Sequence, residues 1–114
     1  MNITEALAFD DVLLVPTYTE VRSRSVPTLD TNIAGVNLTL PMIASPMDTV
    51  TESKMAIAIG LAGGMGVIHR FMSPSEQIDN VRSIVRAEQE NKKEIPKVVA
   101  VGLGTDEVSR FKEL

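Results

Sequence analysis

The sequence predicts an α/β fold with parallel strands, on three observations. From Pro41 onward the strand candidates are short continuous apolar runs rather than alternating ones, as expected for strands covered on both faces. Each run leads into a helix-start signal. The segments that follow carry apolar residues at helical spacing, so strand and helix alternate along the chain.

Residues 1–40 follow a different grammar. Phe9-Asp10-Asp11-Val12-Leu13-Leu14-Val15 is an apolar run stopped by Pro16, and Thr17 to Leu29 is polar with an Arg22-Ser23-Arg24-Ser25 cluster. Leu29 to Leu40 holds a turn at Ala34-Gly35-Val36-Asn37 between two strand candidates. This part is expected to be an extended arm with a β-hairpin, because it has too little periodic hydrophobicity for a domain of its own.

Within residues 41–114, Met42-Ile43-Ala44-Ser45 reads as the first parallel strand. Thr49-x-x-Glu52 reads as a capping box opening a helix with Met55, Ile59 and Ala62 along one stripe, ended by a left-handed glycine at Gly63-Gly64. Met65-Gly66-Val67-Ile68-His69 is the second strand. Ser73-Pro74-Ser75-Glu76 combines a capping box with proline at the first helical position, and predicts a helix with Ile78, Val81 and Val85 on its apolar face, Ile84 beside them. That helix fades into the charged stretch Glu88 to Glu94. Lys97 to Gly102 is the third strand, and Thr105-Asp106-Glu107 opens a last helix bearing Val108 and Phe111. Three such strand–helix units match the opening part of a (β/α)₈ barrel, whose full length of about 250 residues exceeds this chain.

Composition narrows the function. The 114 residues are 44% hydrophobic and 23% charged, with a formal charge of −4, one His and no Cys. Disulfides, thiolate metal sites and a cysteine nucleophile are thereby excluded within these residues. The acidic balance argues against nucleic-acid polymers and anionic membranes as partners, while leaving small anionic ligands open. No run reaches the roughly 20 apolar residues of a membrane span, and the start Met1-Asn2-Ile3-Thr4-Glu5 has no signal-peptide character, so a cytoplasmic location is expected.

Reactive groups in parallel α/β folds collect where strands end and helices begin. The first such junction, Ser45-Pro46-Met47-Asp48-Thr49, sets a hydroxyl and a carboxylate before a helix; they serve either as caps or as ligand contacts. The second is His69-Arg70-Phe71-Met72. His69 reads as a hydrogen-bonded structural residue, since no second His, Cys or clustered carboxylates supply a metal set. Arg70 suits an anion or a surface ion pair. The third, Gly102-Leu103-Gly104-Thr105, has two glycines of a dinucleotide loop but lacks the third and the downstream acidic residue. Gly63 to Gly66 lies on the opposite side of the sheet, an unsuitable place for a phosphate cradle.

Taken in order, Phe9 to Pro16, Ser45-Pro46-Met47-Asp48-Thr49-Val50-Thr51-Glu52 and Gly63 to His69 followed by Met72-Ser73 resemble the amino-terminal third of the inosine-5′-monophosphate dehydrogenase and GMP reductase family. The resemblance implies a TIM barrel assembled as a homotetramer. It implies oxidation of inosine monophosphate (IMP) to xanthosine monophosphate with NAD or, alternatively, NADPH-dependent deamination of GMP. It further implies that Ser45, Met47 and Asp48 face the purine mononucleotide, and that Ser23, Arg24, Arg70, Gly102, Gly104 and Thr105 lie at the dinucleotide. The family's Cys nucleophile, its K⁺-binding loop and its flap belong to later barrel segments, so no catalytic residue and no metal ligand is expected here, and the chain alone is expected to be inactive. Ser-Pro-Met-Asp resembles the dehydrogenases. Ser23-Arg24, Arg70 and the direct run Glu94-Ile95-Pro96-Lys97, without the regulatory CBS insert, resemble the reductases. A reading of another class is a non-catalytic barrel piece acting in assembly or regulation, suggested by an unpaired sheet edge and uncovered helix faces.

Overall fold

A computed structural model of the chain describes residues 5–101. Every residue from 5 to 30 is exposed, and the only regular element there is a short 3₁₀ turn at Phe9–Asp11. The predicted hairpin follows. Strands β1 (Thr31–Ile33) and β2 (Val36–Leu38) pair antiparallel, with Thr31 opposite Leu38. The turn is tighter than the sequence suggests. Only Ala34 (φ 51°) and Gly35 (φ 86°) form it, both with the positive φ of a type I′ turn, and Val36 and Asn37 already belong to β2. The Asn32 side chain closes the hairpin, accepting from the Gly35 N–H at 3.1 Å and donating to Asn37 Oδ1 at 2.7 Å.

The second half is the predicted parallel unit. Strands β3 (Ile43–Ala44), β4 (Met65–Ile68) and β5 (Lys97–Val99) form one three-stranded parallel sheet in sequence order, with Ile43 beside Met65 and Gly66 beside Lys97. Helix α1 (Ser53–Leu61) links the first two strands and α2 (Pro74–Asn91) the last two. Neighbouring parallel strands joined in chain order by helices are the repeating step of a (β/α)₈ barrel. The core under the helices is Ala56, Ile68, Ile84, Ala87 and Ile95. Gly66 lets α1 approach β4, since a Cβ there would stand 2.6 Å from the Ala56 Cα.

The two helix starts part company. At α2 the box forms as predicted: Ser73 Oγ accepts from the Glu76 N–H, and the Glu76 carboxylate accepts from the Ser73 N–H at 2.7 Å. The Ser73 hydroxyl also donates to that carboxylate at 2.7 Å, and this bond first, then the one from the Ser73 N–H, holds the Glu76 carboxyl below its ordinary pKa. At α1 the predicted Thr49–Glu52 box does not form. Glu52 is the cap residue and makes no side-chain cap bond, while Thr49 sits upstream at φ 60°. The Ser53 N–H is satisfied instead from α2, by Asn80 Oδ1 at 2.7 Å. Local sequence could not reveal a donor and acceptor 27 positions apart.

Both predicted apolar stripes are also displaced. In α1 the buried residues are Ala56 and Gly60, while Met55 and Ala62 are exposed. In α2 they are Gln77, Ile84 and Ala87, with Ile78, Val81 and Val85 only half-buried. In α1 the buried residues are small because close approach to the strands leaves no room for large ones. The C-termini follow expectation: Gly63 takes φ 100° after α1, and its carbonyl receives the Thr39 and Leu40 N–H groups, both at 3.0 Å, which fastens the hairpin to the unit. Lys92 ends α2 in the same left-handed region at φ 51°. Beyond it, Glu88 Oε1 accepts from the Ile95 N–H at 2.8 Å and from Lys97 Nζ at 2.6 Å, pinning the connection into β5. The Lys97 hydrogen bond, then that of Ile95, lowers the Glu88 pKa. The last predicted helix lies outside the described residues.

Candidate substrate face at the strand ends

Parallel strands present their C-terminal ends to one side, and here that side carries the loops after β3 and β4. The β3 loop, residues 45–52, is built around one carbonyl. Ser45 O accepts from the Met47 N–H at 2.8 Å and from Thr51 Oγ1 at 2.6 Å, and Thr51 is fully buried. Met47 O in turn receives the Val50 and Thr51 N–H groups, both at 3.1 Å. Thr49 is the strained point, because a β-branched side chain is disfavoured at φ 60°. The loop therefore holds a costly conformation with Ser45, Met47 and Asp48 all exposed on it. Thr51 is the brace.

The β4 loop brings His69 to the same place. Its Nε2 lies 3.5 Å from Glu52 Oε1 and 3.8 Å from Asp48 Oδ1. The sequence offered no clustered carboxylates; the fold supplies two, because β3 and β4 are adjacent and both acidic residues follow β3. Glu52, read from the sequence as half of a capping box, and His69, read as a structural residue, thus come together with Asp48 at the strand ends. The signal was present in the alignment of two strand ends, but only the sheet register makes it readable.

One His and two carboxylates within 4.8 Å could in principle hold a metal ion. The tautomer argues against it. His69 Nδ1 accepts from the Phe71 N–H at 3.1 Å, so the ring proton belongs on Nε2, which then donates and offers no lone pair to a metal. The ring also stacks on Phe71 at 6.1 Å, and the His69 carbonyl accepts from Gln77 Nε2 at 3.0 Å. Gln77 is itself fully buried and donates to Ala100 O at 2.9 Å, so one amide ties the ends of β4 and β5 together.

Arg70 stands exposed beside this cluster, its guanidinium carbon 4.9 Å from the centre of the Phe71 ring. Ser23 and Arg24 lie in an exposed turn of the arm, where Ser23 Oγ meets Ser25 Oγ at 2.8 Å and accepts from the Ser25 N–H at 3.3 Å. Gly102, Gly104 and Thr105 fall outside the described residues. A cavity of about 390 Å³, lined by residues including Gly35, Thr39, Gly63, Lys93 and Ile95, opens at the other end of the strands. It is remote from the strand-end loops.

Comparison with known proteins agrees with this geometry. The family profile described as "IMP dehydrogenase / GMP reductase domain" matches residues 6–114. The inosine-5′-monophosphate dehydrogenase of Nitrosopumilus maritimus is 46% identical over 88 residues, which are 76% of this chain and 18% of that protein. That of Halalkalibacterium halodurans is 49% identical over 84 residues, 74% of this chain and 17% of its own length. Among solved structures, the inosine 5′-monophosphate dehydrogenase of Legionella pneumophila superposes with a TM-score of 0.72 at 37% identity, covering 93% of this chain and 31% of that one. The chain thus spans less than a fifth of these curated relatives and, as strand order, loop sequence and profile agree, it belongs to the IMP dehydrogenase / GMP reductase family, forming the opening part of its barrel.

Proposed function

We propose that this chain is the substrate-positioning front of a purine-nucleotide oxidoreductase, an IMP dehydrogenase that converts IMP to xanthosine monophosphate with NAD. The observation that carries the reading is the strained loop after β3, which displays Ser45, Met47 and Asp48 at the strand ends of a parallel sheet. A backbone distortion of this kind persists where a ligand-facing geometry is selected over stability. Ser45 offers a hydroxyl and Asp48 a carboxylate to a nucleotide's polar edges, and Met47, largely exposed, offers an adaptable apolar surface to a purine ring.

Arg70, held by Phe71, is the group in these residues best suited to a dinucleotide phosphate, with Ser23 and Arg24 as companions from the arm. The dinucleotide supplies the hydride acceptor. A cysteine that adds to the purine, and the K⁺ that orders its loop, belong to segments beyond these 114 residues, which contain no Cys. The working enzyme is read as a cytoplasmic homotetramer.

The GMP reductase reading keeps specific support in Arg70, in Ser23-Arg24 and in the direct Glu94–Lys97 connection into β5. The assembly reading is supported by the exposed apolar arm, and predicts that the chain associates with other barrel segments without turnover. Four assays separate the readings. The 114-residue chain and the longer protein carrying it are each given IMP with NAD and GMP with NADPH. Turnover of IMP by the longer protein alone is the expected result. Turnover of GMP selects the reductase, and inactivity of both selects the assembly role. Turnover by the short chain would overturn the placement of the chemistry elsewhere.

A further inference from the structure

The unsatisfied edge of His69 carries a consequence for the substrate loop. Its carbonyl is committed to Gln77, its Nδ1 to the Phe71 N–H, and its ring face to Phe71. The residue is 1% exposed, so the imidazole is fixed. Its Nε2 is buried without a hydrogen-bond partner among the described residues, and faces only the Glu52 and Asp48 carboxylates, at 3.5 and 3.8 Å. Both separations exceed a direct hydrogen bond, and both carboxylates are exposed enough to swing inward. A buried donor left unmade is costly, so one carboxylate closes on it.

We infer that His69 is a positioning residue whose buried Nε2–H takes Glu52, leaving Asp48 free to accept from the purine mononucleotide. Glu52 is the nearer of the two, and it is anchored at the head of α1, where its carbonyl receives the Ala56 N–H at 2.9 Å. Asp48 sits one residue before the strained Thr49, on the exposed part of the loop. One N–H cannot satisfy two carboxylates equally. Glu52 thus acts as the decoy that keeps Asp48 from folding back onto the imidazole. The inference rests on the strand-end loop being the mononucleotide site.

The test uses the full-length protein with IMP as the probe. In His69→Asn the side-chain oxygen takes the place of Nδ1 and keeps the Phe71 bond, but the donor toward the carboxylates is lost. His69→Gln reaches the Nε2 position with an amide N–H. The expected result is a KM for IMP raised about tenfold in Glu52→Ala, where Asp48 closes on the uncontested Nε2–H, with kcat within about twofold, and a KM near that of the wild type in His69→Asn, which offers no donor to either carboxylate. His69→Asn added to Glu52→Ala should bring KM back toward the wild-type value, whereas His69→Gln, which keeps the N–H, should not. Nitrogen NMR of histidine-labelled protein, with the His69 signal assigned by its loss in His69→Asn, should show the Nε2–H tautomer.

A raised KM in Glu52→Ala that His69→Asn fails to bring back would reduce His69 to a structural residue and overturn the inference, as would an Nδ1–H tautomer. Should His69→Asn fail to fold, Glu52→Ala carries the test alone, because Glu52 is exposed and makes no side-chain cap bond. An unchanged KM there also overturns it. Wild-type protein that binds no IMP would sink the functional reading and this inference together, whereas wild type that binds IMP beside an unaffected Glu52→Ala sinks only the inference.

Discussion

The arm and the strand–helix unit have comparable shares of apolar residues and opposite fates. Phe9 and Leu14 are each 97% exposed, while Ile68, Ile84 and Ile95 are fully buried. The difference is periodicity. In the unit, apolar residues recur with the spacing of elements that have a partner layer, so each helix finds a sheet. In residues 5–30 the apolar residues are consecutive and proline-stopped, and no second element of the described chain lies over them. The accessible surface of the chain, 9253 Å² for 12.4 kDa, accordingly exceeds the roughly 6,100 Å² of a compact monomer of this mass. Hydrophobicity alone does not make a core; it needs an arranged counterpart.

The sharpest way to break this contrast is a pair of truncations. Ile84→Ala in the core should cost about 2–5 kcal/mol in chemical denaturation. Leu14→Ala in the 114-residue chain should change stability by less than about 0.5 kcal/mol. A loss at Leu14 as large as that at Ile84 would mean the arm is packed in solution. Repeating Leu14→Ala in the longer protein sharpens the same point, because a cost appearing only there would identify the arm as a surface covered by other segments.

Within the unit, Asn80→Ala removes the cap that α2 lends to α1, and is expected to lower stability by about 1 kcal/mol, read as a shift in thermal midpoint. Thr49→Ala should leave α1 stability unaffected by any capping loss, since no capping bond exists there. Thr49→Gly goes the other way. It relieves a positive φ and should raise stability by about 1 kcal/mol, while loosening the substrate loop and raising KM for IMP. A destabilised Thr49→Gly would remove the argument that the loop is strained.

The smallest effect is the pH dependence from Glu88. Its carboxyl titrates below the ordinary value when folded, so its contribution is complete above about pH 5 and is lost as pH falls through the lowered folded value. Melting temperatures measured between about pH 3 and 7 should therefore fall less steeply in Glu88→Gln than in the wild type. Parallel curves would show that Glu88 is not linked to folding.

Legibility followed the range of the interaction. The second helix start was fully readable, because Ser73, Pro74 and Glu76 satisfy one another within four residues. The first was misread, because the acceptor for Ser53 comes from Asn80 on another helix. The apolar stripes are read from the helical spacing of apolar residues, and the structure buries Ala56, Gly60 and Gln77 where the sequence favoured Met55, Ile59 and Ile78. Close approach of helix and sheet selects small side chains, and the two carbonyls at the ends of β4 and β5 demand an amide. The sequence places Ser45, Met47 and Asp48 after a strand, and the structure exposes them on the β3 loop. That Glu52 and His69 join them was not legible, since nothing local links them.

By itself the sequence determined the parallel α/β class, the order of strands and helices, the hairpin and the family, because these rest on short-range patterns and on a motif that survives as a string. Only the tertiary structure decided which faces are buried, which residue caps α1, and that His69 meets Glu52 and Asp48. Those depend on the register of β3 against β4, a pairing of residues more than twenty positions apart that no local preference encodes.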